Sequence, residues 1–148
     1  MRAKLPPRIK VLEALGTIAD NRVKMIEKGI YTVTSSEHDR EYKVLIRGRE
    51  VCSNDNGTRF RRYVGYPIIA SLMLERIVSY DERIANSLKG IKWRKLNEEL
   101  RDYNLVEEEV YKIAEERGVK REELSRFIER VMRELKGLSL ELNLNCIT

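Results

Sequence analysis

The chain has 148 residues, 42% of them hydrophobic and 36% charged, and its net charge is +5. This length and apolar content allow one domain, or one domain with a helical appendage, with a core that needs no disulfide or metal to hold it together. No stretch approaches the roughly 18 apolar residues of a membrane span, and the basic start lacks the apolar run of a signal peptide, so a cytoplasmic protein with no membrane association is predicted.

The two cysteines, Cys52 and Cys146, have no CxxC spacing and no neighbouring histidine. This pattern predicts free thiols of a reducing compartment rather than a disulfide or a zinc site, and no metal or cofactor is expected. The dense mixture of Glu, Lys and Arg, together with the absence of glutamine, is typical of thermophilic, archaeal-like proteins.

The first half of the chain predicts a helix followed by a small sheet. Apolar residues at helical spacing predict a helix over 8–19. Residues 30–35 are rich in β-branched side chains, and 42–46 and 50–53 read as a hairpin with a short glycine-containing connection. The three segments predict an antiparallel three-stranded meander.

A mostly buried helix is predicted over 68–74, with proline in its first turn. It should pack on the sheet. The residues expected to form this part of the core are Tyr42, Val44, Ile46, Val51, Ile69 and Leu72.

The second half of the chain is punctuated as helices. Ser79-x-x-Glu82 and Asn104-x-x-Glu107 read as capping boxes that open two of them. A continuous apolar face on the last helix predicts an antiparallel helical hairpin of residues 105–117 with 121–136.

The tail, residues 138–145, alternates apolar and polar side chains. A terminal strand added to the sheet of this or a neighbouring subunit is favoured, with a continued helix as the alternative. The predicted class is therefore α+β, divided into a small α+β domain over 8–78 and a helical extension over 79–148 packed on it.

No catalytic constellation is found, so the chain is predicted not to be an enzyme. The single histidine, His38, lies in a charged turn with no serine or cysteine motif to pair with it. The carboxylates of residues 107–109 and 115–116 lie among Lys and Arg, which indicates a salt-bridged solvent face.

The positive charge is concentrated in the first half, where residues 1–76 hold 15 Lys and Arg against 9 Asp and Glu, while residues 77–148 hold 14 against 15. Guanidinium groups that meet phosphates, interleaved with rings on which bases stack, are what sequence-tolerant single-strand binding requires. An ordinary thermophilic surface is the alternative. The candidate nucleic-acid-binding residues are Lys43, Arg47, Arg49, Arg59, Phe60, Arg61, Arg62 and Tyr63.

The order of elements over residues 8–75 resembles the SWIM zinc-finger domain. That family has Cys-x-Cys after the hairpin and Cys-x-His at the start of a helix followed by apolar residues. On this chain Cys52 takes the first ligand position, while Asn54, Gly65 and Pro67 take the other three. One thiolate cannot make a tetrahedral zinc site, so the resemblance implies a metal-free relative.

The resemblance further implies binding to nucleic acid or protein, including recombinase-like partners in homologous recombination. The leading hypothesis is a non-enzymatic module that binds nucleic acid through the basic sheet and the 58–63 loop, alongside a protein partner. The alternative is a structural or assembly subunit in which the amphipathic helices and the tail pair with another copy, which leaves a homo-oligomer open.

Overall fold

The computed structural model describes residues 1–146 and confirms the α+β class. The helices are α1 (Ile9–Ala19), α2 (Tyr66–Leu74), α3 (Glu82–Asn86), α4 (Trp93–Leu100), α5 (Tyr103–Glu116) and α6 (Arg121–Leu138). The strands are β1 (Val23–Glu27), β2 (Ile30–Thr34), β3 (Glu41–Arg47), β4 (Glu50–Ser53) and β5 (Glu141–Leu142), and they form one sheet in the order β1-β2-β3-β4-β5.

The sheet is larger than the sequence predicts. Strands β1 to β4 form an antiparallel meander of four strands rather than three, because β1 pairs with β2. The predicted terminal strand is confirmed as β5, which runs parallel to β4 in the same chain with Val51 opposite Leu142. It is only two residues long, since α6 continues to Leu138 before the chain turns at Ser139.

Helix α1 lies at the centre of the molecule. Nine of its eleven residues are buried, and it contacts α2, α3, α5 and α6. Helix α2 in turn contacts β1, β3 and β4, so it lies between α1 and the sheet. Buried side chains of both halves form one apolar cluster, while a domain boundary near residue 78 stays a prediction.

The predicted core residues lie at this contact between α2 and the sheet. Val44, Val51, Ile69 and Leu72 are fully buried, whereas Tyr42 and Ile46 are half-buried. Burying one such aliphatic side chain contributes about 1.5–3 kcal/mol to folding. Hydrophobic packing therefore holds this half of the chain together.

Both predicted capping boxes are wrong. Helix α3 is capped by Asp81, whose carboxylate accepts a hydrogen bond from the backbone N–H of Ile84, and Asp102 caps α5 in the same manner. The hydroxyl of Ser79 is engaged elsewhere, because it donates to Glu134 on α6 at 2.7 Å. A carboxylate with β-region backbone is as good a cap as serine or asparagine.

The predicted helical hairpin corresponds to α5 and α6, which contact each other across a short connection. Val106 and Val110 are buried and Ile113 is half-buried. The sequence reading missed α4, which precedes this pair and contacts α5.

Cys52 and Cys146 form a disulfide, so the expectation of free thiols is wrong. Their Cα atoms lie 6.4 Å apart because the chain after β5 returns beside β4. Disulfides are usual in oxidising compartments and also occur inside cells of hyperthermophiles. The bond therefore does not decide the compartment, which stays a prediction.

Over the described residues, no helix combines the length and the apolar character that crossing a membrane demands.

Candidate functional site

The most prominent feature of the predicted binding segment is a short π-helical turn, Gly57–Arg61, that follows β4. Its outer side carries Arg59, Phe60 and Arg61, all exposed. Phe60 is 67% exposed, more than any other large hydrophobic side chain of the described residues, and the Arg59 guanidinium lies 5.3 Å from its ring centroid. The turn thus presents an uncovered aromatic ring between two arginines.

A buried carboxylate holds this turn in place. Asp55, 4% exposed, accepts hydrogen bonds from the Ser53 hydroxyl at 2.5 Å, the Thr58 hydroxyl at 2.8 Å and the Thr58 backbone N–H at 3.1 Å. The Thr58 hydroxyl also accepts from the backbone N–H of Gly65 at 3.2 Å. These bonds join the end of β4, the turn and the start of α2.

The N-terminal segment adds two cations that the sequence reading did not include. The backbone N–H of Lys4 donates to the carbonyl of Arg62, and the N–H of Val64 donates back to the carbonyl of Lys4. The side chains of Arg2 and Lys4 are exposed there, and they share a small cleft of about 110 Å³ with Lys136 of α6. The sequence shows that the first residues are basic, but only the fold shows that their backbone pairs with residues 62–64, next to the turn.

We call this assembly the basic surface, formed by Arg2, Lys4, Arg59, Phe60, Arg61, Arg62 and Lys136. Among residues 1–146, none of its six cations forms an ion pair or donates a side-chain hydrogen bond. Some cations elsewhere are engaged, for example Arg83 with Glu123 and Arg121 with Glu108, whereas others, such as Arg126, also have no side-chain partner among residues 1–146. The charge of the basic surface is therefore available to an anion.

The structure does not bring all predicted binding residues together. Lys43 lies at the turn end of the sheet, where its backbone N–H donates to Asn54 at 2.8 Å. Arg47 and Arg49 lie at the other end of the β3–β4 hairpin, and the strand rise places Arg47 roughly 13 Å from Lys43. Arg47 is also paired in register with Glu50, which dilutes its charge.

Tyr63, the last predicted binding residue, is half-buried behind the turn. Its ring lies against Gly57, where a Cβ atom would come within 2.9 Å of the Tyr63 Cζ. Burial raises the pKa of Tyr63 to about 12, against an opposing effect of the nearby Lys10 ammonium. Tyr63 thus supports the turn, while Phe60 is the ring that faces outward.

The single histidine and two of the carboxylates of α5 have the following surroundings. His38 is exposed in its turn. Glu107 accepts hydrogen bonds from the Arg8 guanidinium and from the Tyr111 hydroxyl, the latter at 2.5 Å, and Glu108 pairs with Arg121. Over residues 1–146, no cluster of three or more His, Cys, Asp or Glu side chains is arranged to hold a metal ion.

The four positions matched to the SWIM ligands have other roles here. The sulfur of Cys52 is bonded to Cys146, and the Asn54 side chain accepts from Lys43. Gly65 precedes the first residue of α2, and Pro67 is buried in its first turn. None of these atoms is free to ligate zinc.

Comparison with known proteins identifies one family. Residues 3–141 match the family model described as Uncharacterised conserved protein UCP014422. The chain belongs to this family. No curated protein and no solved structure matches the chain. The resemblance to the SWIM domain stays a prediction, since the match to UCP014422 does not bear on it.

Proposed function

We propose that this member of the UCP014422 family is a non-enzymatic module that binds nucleic acid, preferably single-stranded, through the basic surface. The observation that carries the proposal is the exposure of Phe60 between two arginines. A ring that is 67% exposed gains little from folding, but it offers a face on which a base can stack.

Electrostatics supports the same surface. A phosphate chain carries condensed counterions, which are released when protein cations neutralise its phosphates. Each phosphate neutralised on a single strand contributes about −0.7 to the slope of log affinity against log salt. Six cations within one surface could contact several phosphates. Ring stacking and phosphate contacts carry no sequence information, so binding tolerant of sequence is expected if the arginines contact phosphates.

Fluorescence anisotropy with labelled single- and double-stranded oligonucleotides tests the proposal. Phe60→Ala should weaken single-strand binding by roughly tenfold at unchanged salt slope, because stacking contributes about 1–3 kcal/mol per base. Arg59→Ala combined with Arg61→Ala should weaken binding and make the salt slope shallower.

Two control variants sharpen the experiment. Arg126→Ala removes an exposed arginine of α6 and should leave binding unchanged. Arg49→Ala tests the far end of the hairpin and should have little effect if the basic surface is the interface. Absence of salt-dependent binding by the wild type at micromolar protein would refute the proposal.

A second function, assembly with another copy, is favoured by one observation. Strand β1 is an edge of the sheet, and Met25 and Ile26 on it are 59% and 61% exposed. An uncovered apolar edge strand is a template for pairing with another chain. The faces first considered for assembly are used internally, because α5, α6 and β5 pack within their own chain.

Sedimentation equilibrium tests this second function. Ile26→Lys should lower the mass of any oligomer, while Lys24→Ala on the same strand serves as a control that keeps the apolar pair. A wild-type protein that stays monomeric at high micromolar concentration would exclude assembly through β1.

A further inference from the structure

A pocket with an aromatic wall and a polar floor is lined by no residue of the basic surface. Its volume is about 280 Å³, and it opens where β2 ends and β3 begins, between α1, α4 and the start of α2. The lining residues that matter for its chemistry are Glu13, Arg22, Tyr42, Tyr66, Trp93 and Asn97. These come from segments far apart in the chain, so only the fold assembles them.

Aromatic rings form the walls of this pocket. The rings of Tyr42 and Tyr66 have centroids 6.4 Å apart and planes at 89° to each other, and Trp93 of α4 lines another side. Burial raises the pKa of Tyr66 above its ordinary value, so its phenol stays protonated as a hydrogen-bond donor. Such walls suit a flat ring, which can meet one tyrosine by its face and the other by its edge.

A buried carboxylate and amide form the polar floor. Glu13 is 4% exposed and is held by the Lys10 ammonium at 3.1 Å and by the side-chain amide nitrogen of Asn97 at 3.2 Å. Because that nitrogen is used on Glu13, the Asn97 Oδ1 is left as an acceptor for which residues 1–146 supply no donor. A buried acceptor without a partner is unfavourable, and a donor on a ligand would relieve that cost.

A buried guanidinium lines the same pocket with an unused donor. The Arg22 Nη1 donates to the carbonyl of Thr34 at 2.8 Å, but its Nε has no hydrogen-bond partner among residues 1–146, and the nearest carboxylate oxygen, on Asp20, is 3.8 Å away. Among residues 1–146, the lining side chains thus carry two unsatisfied donors, Arg22 Nε and Trp93 Nε1, and one unsatisfied acceptor, Asn97 Oδ1. These atoms are covered, so a ligand meets them after side-chain adjustments of the kind common at binding sites.

We propose that this pocket binds one planar nitrogen heterocycle of the nucleobase class. The ring would lie against Tyr42 and Tyr66, its N–H edge would donate to Asn97 Oδ1, and a neighbouring ring nitrogen or carbonyl would accept from Arg22. The pocket volume is at the lower limit of about 300 Å³ for ligand sites, which suits the base of a nucleoside or a single base of a longer strand.

The heterocycle can come from two sources. It is either a free nucleoside or one unstacked base of a strand held on the basic surface, and the second source rests on the proposed function. The turn and the pocket lie at the same end of the sheet. Lys43 is hydrogen-bonded there to Asn54, which precedes the turn, and its neighbour Tyr42 lines the pocket.

Titration calorimetry with adenosine, guanosine, cytidine and uridine, and with ribose as a control without a base, tests the pocket. Trp93 is the single tryptophan of the chain and lines the pocket, so its fluorescence gives an independent readout. At least one nucleoside should bind and ribose should not. Tyr42→Ala and Asn97→Leu should each weaken binding by about tenfold, whereas Arg61→Ala on the basic surface should not change it.

The same variants in oligonucleotide titrations separate the two sources and the two proposals. Nucleoside binding without oligonucleotide binding supports the pocket and refutes the proposed function. Oligonucleotide binding that the pocket variants weaken supports an inserted base. If no nucleoside binds at millimolar concentration, and both pocket variants keep wild-type thermal unfolding and wild-type oligonucleotide binding, the pocket proposal is overturned while the proposed function stands.

Discussion

The substitution Gly65→Ala tests the buried network that positions the basic turn. A Cβ atom at Gly65 would lie 2.1 Å from Asp55 Oδ2, far inside the 3.0 Å below which real Cβ contacts do not occur. The backbone of Gly65 is extended, with φ −72° and ψ 165°, so alanine adopts it without strain. The effect therefore comes from the contact with Asp55 alone.

The contact sets the magnitude. The Asp55 carboxylate must move by about 1 Å, which breaks at least one of its three hydrogen bonds, and each bond to a charged group contributes about 1.5–3 kcal/mol. We expect a loss of about 2–4 kcal/mol in the free energy of unfolding. For a chain of this length that lowers Tm by roughly 3–4 °C per kcal/mol.

Urea denaturation followed by circular dichroism, with the disulfide intact, measures the loss. The matched control is Gly137→Ala in α6, where a Cβ atom meets nothing within 4 Å and the better helix propensity should add about 0.5–1 kcal/mol. Asp55→Ala combined with Gly65→Ala should cost little more than Asp55→Ala alone, since both act on one network. A Gly65→Ala protein as stable as the wild type would refute the reasoning.

Three further predictions concern the disulfide, a surface ion pair and the packing of α4. Cys146→Ser should lower the free energy of unfolding by up to about 4.6 kcal/mol, the loop-closure value for a separation of 94 residues, as measured in urea; an unchanged midpoint would contradict a disulfide that closes this loop. Arg94 contacts both carboxylate oxygens of Asp39 at 2.7 Å. These hydrogen bonds, with one from the Ser35 hydroxyl, hold the pKa of Asp39 well below its ordinary 3.8. In Arg94→Ala that pKa should rise, as measured by carboxyl NMR. Because a lowered carboxyl pKa contributes stability that is lost as pH falls below the unfolded value, the wild type should lose more stability than Arg94→Ala below about pH 4. Gly16→Ala places a Cβ atom 2.7 Å from the Trp93 indole nitrogen and should cost about 1–3 kcal/mol with a red shift of tryptophan emission; emission identical to the wild type would contradict this packing.

The elements that the sequence predicts are those whose side-chain pattern reports burial. Strands β2 and β3 carry alternating or β-branched residues, and α6 has an unbroken apolar face. Strand β1 escapes detection because it is an edge strand: only Val23 is even half-buried, so its side chains carry no period-2 signal. Helix α4 is short and has no capping signal, although Trp93, Leu96 and Leu100 at i, i+3 and i+7 form an apolar face that the sequence prediction overlooked.

Long-range partnerships explain the remaining errors. Ser79 has the spacing of a cap, but its hydroxyl bonds to Glu134, 55 residues away. Cys52 and Cys146 are 94 residues apart, and nothing in their local sequence indicates that β5 brings them together. The exposed arginines of the turn were identified because charge and composition are local properties, whereas the addition of Arg2 and Lys4 depends on backbone pairing with Arg62 and Val64.

The two proposed binding regions share one structural support, which decides how their tests must be designed. Residues 54–66 run from Asn54, through the Asp55 network and the turn, to Tyr66 in the pocket wall. A change at Asp55 or Gly65 therefore disturbs both regions, so lost binding in such a variant would not show which region contacts the ligand. Three residues lie outside the network: Phe60 and Arg61 in the turn, and Asn97 in the pocket. A substitution at any of them alters one region while the other region keeps its support. If Phe60→Ala and Asn97→Leu impair the binding of the same oligonucleotide, and the double variant loses less than the sum of the two free-energy changes, the two contacts depend on each other and the turn and the pocket hold one strand together.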